Sequence, residues 1–167
     1  MNLEEIKKQN LTLAREKGFG SRPEEIDLPE KIALIHSEIS EAYDAFLKNN
    51  LAGKDGFFEE IADVLLRTLH LAGIYKIQVG SIKKVEVFPT DIHAQIALLH
   101  KAVSEAYEGF RHQKEPVFSL KIRQFIEYIL ALAAFHGFLA EKEAVKKMEY
   151  NRTRNWDKAN MNEKFTS

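Results

Sequence analysis

The chain has 167 residues and no cysteine, with 24 basic against 25 acidic side chains and a formal charge of -1. The lack of cysteine excludes disulfides, thiolate metal sites and a cysteine nucleophile, leaving carboxylate, histidine and hydroxyl chemistry. Balanced, interspersed charge offers no broad basic face to a phosphate backbone, so long nucleic acid is not an expected partner.

Eight glycines and four prolines are few for a turn-rich β protein, and Ala, Leu, Ile, Glu and Lys dominate, which favours an all-α fold. The start, MNLEEIKKQN, is charged and lacks the apolar run of a signal peptide, and later apolar stretches are short. The expectation is a cytoplasmic protein with no membrane segment. Apolar positions recurring three and four apart predict helices over 3–17, 30–48, 57–78, 91–111, 118–137 and 140–154. Between them lie breaks with their own chemistry: Gly18, Gly20 and Pro23, then Gly53 and Gly56, then Pro89 with Thr90 as an N-cap, then Pro116. Pro29 suits a first helical turn. In QVGSIKKVEVFP, Val85 and Val87 alternate with charge and allow a short extended piece. The tail from Asn155 onward is polar and reads as irregular.

One stretch is written twice. Ile32 to Phe46 aligns with Ile96 to Phe110 at an offset of 64 without a gap, and nine of fifteen positions are identical: Ile, Ala, Leu, His, Ser, Glu, Ala, Tyr and Phe. This predicts a single domain over 1–167 built on a duplicated helical hairpin: 30–78, then 91–137, closed by a helix at 140–154. Two such hairpins can pack about a pseudo-two-fold axis as a four-helix bundle.

The first copy carries an acidic constellation. Glu38 and Glu41 stand three residues apart, as do Glu60 and Asp63 on the next helix, and at about 100° per residue each pair shares a helix face. Four carboxylates converging between antiparallel helices would repel and desolvate one another unless a cation joined them. A hard divalent ion such as Mg²⁺, which takes oxygen ligands and keeps waters that reach phosphate, answers that need. The plainer alternative is a solvated acidic surface, with Asp63 and Arg67 as a helical i,i+4 ion pair. A di-iron site would want Glu-x-x-His, and none of the six histidines has Glu three residues before it. GKDG lacks the remaining residues of a phosphate loop and reads as a turn.

In order, EKIALIHSEISEAYDAF, FFEEIADVLLRTLHLAG and AVKKMEYNRTRNW resemble the three blocks of the MazG-like nucleoside triphosphate pyrophosphohydrolases. These belong to the all-α NTP pyrophosphatase superfamily. The family's Glu-x-x-Glu and Glu-x-x-Asp are matched by Glu38, Glu41, Glu60 and Asp63, and its Lys-x3-Asn-x2-Arg by Lys147, Asn151 and Arg154. The resemblance implies Mg²⁺-dependent hydrolysis of a nucleoside triphosphate between the α- and β-phosphates, with Mn²⁺ as a substitute ion. It also implies that the four carboxylates hold metal and that Glu41 or Glu38 acts as base. Lys147, Asn151 and Arg154 would then contact phosphate. Departures are Ser37, where many members carry a glutamate, the run from Asn155 to Ala159, where relatives read Pro-Tyr-basic-His-Gly-Lys, and the inserted second hairpin itself.

In the second copy the metal positions read Ala102, Glu105, Gln124 and Glu127, and Arg67 becomes Ala131, so that hairpin is expected to serve as a bundle partner rather than a metal site. His36 and His100 recur as packed or hydrogen-bonded residues, with base contact as the alternative. Phe19 could stack on a nucleobase or simply pack in the core, and Trp156 could cap the site or anchor the tail. A homodimer is left open, as are the nucleobase and a rival reading in which the bundle is a nucleotide- or protein-binding scaffold without catalysis.

Overall fold

The computed structural model describes residues 1–154. They form six α-helices and no strand: α1 (Leu3–Glu16), α2 (Leu28–Leu47), α3 (Phe57–Ile74), α4 (Ile92–Arg111), α5 (Glu115–Phe135) and α6 (Ala140–Thr153), with a 3₁₀ turn at Pro23–Glu25. None of the described helices is long and apolar enough to cross a membrane. Trp156 and the rest of the tail lie outside the described residues.

α3 is the axis of the molecule. It packs against α1, α2, α5 and α6, and 13 of its 18 residues are buried. A helix that is apolar nearly all round can satisfy that pattern only by being enclosed. α2 packs against α3 and α4, and α5 against α3, α4 and α6, so the two antiparallel pairs lie side by side with α1 and α6 flanking α3. The shared core runs from Ile35, Ile39 and Phe57 through Leu65 and Leu69 to Leu99, Phe118, Phe125 and Ile129, each at most 1% exposed.

Several boundaries differ from the sequence expectation for physical reasons. The N-cap of α4 is Asp91, not Thr90: its carboxylate accepts the Ala94 N–H at 2.9 Å. α3 stops at Ile74 rather than 78, where Lys76 turns into the left-handed region and the Ile77 N–H reaches back to the Ala72 carbonyl at 2.8 Å. Pro116 lies in the first turn of α5, which begins at Glu115, instead of preceding the helix, since a first-turn proline gives up no intrahelical bond. The Val85–Val87 segment forms no strand.

Side chains from the helices take up polar groups along the α3–α4 connection. Glu4 accepts the Val79 and Gly80 N–H groups, Gln95 donates to the Pro89 carbonyl at 2.7 Å, and Arg123 donates to the Ser81 carbonyl at 2.9 Å. Backbone satisfied in this way gains nothing from a ladder.

Across the α2–α4 seam, His36 and His100 stack with ring centroids 4.9 Å apart and planes 10° apart, their Nδ1 atoms separated by 2.6 Å. One ring donates and the other accepts, so only one proton fits between them. Burial lowers the pKa of both rings, and each imidazolium would also repel the other. The contribution of the pair to stability is therefore present above the ordinary histidine range and is lost as pH falls through the lowered folded values. Thermal unfolding of the wild type and of a His36→Gln/His100→Gln double variant checks this: the wild type's advantage in Tm should shrink between pH 8 and pH 5.5.

Candidate metal centre

The acidic residues of α2 and α3 converge where the two helices pack. One carboxylate oxygen each from Glu38, Glu60 and Asp63 lies within 4.8 Å of the others. Glu38 and Glu60 are only 8% and 5% exposed, and they are the two buried acidic residues among those described. Glu60 and Asp63, three apart on α3, turn to the same side, and Glu38 meets them from α2. Glu41, one turn beyond Glu38, is exposed and lies outside the triad, yet its charge still acts on Glu60.

Two cations from other positions complete the cluster. Arg67 donates Nε–H to Glu38 Oε1 at 2.7 Å, and its Nη2 lies 2.5 Å from the same oxygen. Lys147, arriving from α6, places Nζ 2.8 Å from Asp63 Oδ2 and 2.6 Å from Glu59 Oε1. Asn151 and Arg154 lie one and two turns further along that chain segment. Arg154 is the C-cap of α6, and its carbonyl accepts from Lys17 Nζ at 3.0 Å, which ties the helix end to α1. On the other side, His70 shares a hydrogen bond with the Gly20 carbonyl at 2.8 Å, fastening the α1–α2 loop over α3.

Burial sets the electrostatics of the cluster. Burial, a hydrogen bond with Glu38 and the charges of Asp63, Glu38 and Glu41 push Glu60 up to about 8. Burial raises Asp63 to about 6 against the opposing pull of Lys147. Lys147 is raised too, because Asp63 and Glu59 outweigh the burial that works against its charge. Arg67 and Lys147 are thus too few to hold all three carboxylates ionised, and Glu60 keeps its proton at neutral pH. The all-oxygen donor set suits a hard divalent ion such as Mg²⁺. Glu38, Glu60 and Asp63 are the residues that would hold it.

Arg67 and Glu59 are not among the site residues expected from the sequence. Arg67 sits four residues after Asp63, the register of a simple helical pair, but the approach of α2 sends its guanidinium to Glu38. Glu59, four residues before Asp63, shares the face that meets α6, a signal the sequence does carry.

The equivalent positions of the second hairpin are arranged differently. Ala102 is buried, Lys121 Nζ lies 2.7 Å from Glu105 and 3.2 Å from Gln124 Oε1, and Glu127 accepts the Lys83 N–H at 3.4 Å.

No known family model, curated protein or solved structure matches the chain.

Glu60 and Asp63 have folded-state pKa values above their ordinary ones, so their contribution is fully present below the ordinary carboxylate range and is lost as pH rises through about 6 and then about 8. In metal-free protein, Glu60→Gln should raise stability at pH 9 by on the order of 1 kcal/mol, about 2–4 °C in Tm, with the gain vanishing toward pH 5. Denaturation followed by circular dichroism in chelator reads this directly.

Proposed function

We propose that this chain is a Mg²⁺-dependent nucleoside triphosphate pyrophosphohydrolase of the MazG-like kind, releasing a nucleoside monophosphate and pyrophosphate. The observation that carries the proposal is the buried triad Glu38, Glu60 and Asp63 with Lys147 set against it from a third helix. A buried acidic cluster that its own cations leave under-neutralised is costly to stability, and a metal-assisted reaction gives it a use.

Bound Mg²⁺, or Mn²⁺ in its place, would supply charge neutralisation for the triphosphate and a more acidic water. The chain's own residues do the remainder. Arg67 holds one oxygen of Glu38, which fixes the carboxylate against α3 and commits it to binding. Glu41, on the solvent side of the same helix, is the better placed of the two glutamates to accept a proton from water. Lys147 lies at the edge of the triad, where its ammonium can meet phosphate oxygens, and Asn151 and Arg154 extend that donor set along α6.

The two hairpins are, in this proposal, copies of one ancestor. α2 and α4 occupy the same span at an offset of 64, both are N-capped by aspartate, Asp27 and Asp91, and their equivalent histidines face each other. The second copy gave up metal binding and became the packing partner of the first. Cytoplasmic location and a homodimer belong to the same proposal.

A panel of ribo- and deoxyribonucleoside triphosphates with Mg²⁺, assayed for pyrophosphate, tests it. Glu38→Gln and Asp63→Asn should each lower kcat by roughly 10²-fold or more, as expected when charge stabilisation at the reacting group is removed. Glu105→Gln, in the second hairpin, should leave turnover within about twofold of wild type, as for a surface pair. Nucleotide binding with no product from any member of the panel would contradict the enzyme reading.

A further inference from the structure

Lys147 is held by two carboxylates of unlike standing. Asp63 belongs to the triad, whereas Glu59 does not. Glu59 is fixed independently of the triad: its second oxygen accepts the Asp55 N–H at 2.8 Å, in the turn where Asp55 adopts φ 51° between α2 and α3. The lysine side chain is only 12% exposed, so its ammonium is withdrawn from water and depends on these two acceptors. In the metal-free protein Lys147 thus serves as an internal cation, offsetting part of the negative charge that Glu38, Glu60 and Asp63 concentrate. Any divalent ion taken up by the triad competes with it for Asp63.

We propose that Glu59 is a positioning residue for Lys147: when a divalent cation claims Asp63, the ammonium is released from that carboxylate but kept at the rim by Glu59. From there it can turn to an incoming phosphate. This rests on the metal-centre reading above, and it adds a coupling between metal loading and the exposure of a residue on α6. Binding order follows from the coupling, since the phosphate-facing amine becomes available only after the metal has arrived.

The test needs no turnover. The full chain is titrated with Mn²⁺ alone in a calorimeter, and in parallel its lysines are acylated by an amine-reactive ester with and without saturating Mn²⁺, each site being quantified by mass spectrometry. Lys147 should be protected in chelator and gain reactivity severalfold with Mn²⁺, while Lys121, bound to Glu105 in the other hairpin, stays constant. In Glu59→Gln the Mn²⁺-induced gain should be larger still, because no second carboxylate retains the amine. Mn²⁺ binding with Lys147 still protected would overturn this inference and leave the metal centre standing. A Glu59→Gln response equal to wild type would remove the role of Glu59. No binding heat and no Mn²⁺-induced change in Lys147 would remove the metal centre and this inference with it.

Discussion

The structure turns on the burial of like charge beside its central helix. α3 is enclosed by α1, α2, α5 and α6, and an enclosed helix is a poor place for acidic residues. Glu60 and Asp63 are there nonetheless, and Glu38 is brought against them from α2. Each feature of the neighbourhood answers that cost: Arg67 is spent on Glu38, Lys147 reaches across from α6, and Glu60 remains protonated into the neutral range. Fold and candidate chemistry are linked at this point, because the packing that stabilises the bundle is what raises the carboxylate pKa values.

The two hairpins divide these demands. Where the first holds Glu38, the second holds Ala102, buried without any charge to satisfy; where the first gathers Glu38, Glu60 and Asp63, the second pairs Glu105 with Lys121. The His36–His100 contact joins α2 and α4 with neutral rings, so the seam between the hairpins draws on no charge from the acidic site. A molecule built in this way can tolerate strain in one half because the other half is packed conventionally. α6 then gains its importance by position: it lies along α3 and carries Lys147 into the cluster.

Much of this was legible in the residues. Helical spacing placed Glu38, Glu41, Glu60 and Asp63 on faces that could meet, of which Glu38, Glu60 and Asp63 do and Glu41 stays outside, and composition and few breakers marked an all-helical chain. Other features needed the third dimension. Arg67 is in register with Asp63, and nothing local to α3 says that α2 will offer it Glu38 instead. Asp91 displaced Thr90 as a cap because its carboxylate reaches the third N–H of the helix, a competition between adjacent good caps that sequence cannot rank. The alternating valines near residue 86 carry a strand-like pattern, but no second strand is present among the described residues to pair with them, and side chains from α1, α4 and α5 take up polar groups of the connection instead.

The central claim is that Glu60 holds a proton in place of a third cation, one that a divalent ion at the triad would displace. Proton release on metal binding measures it most directly. Calorimetric titration of Mg²⁺ or Mn²⁺ at pH 7, repeated in buffers of different ionisation enthalpy, gives the number of protons displaced. With Glu60 near 8, the account predicts about one proton released per ion at pH 7, falling toward zero above pH 9. Metal binding with no proton release at pH 7, or the same release after Glu60→Gln, would contradict it.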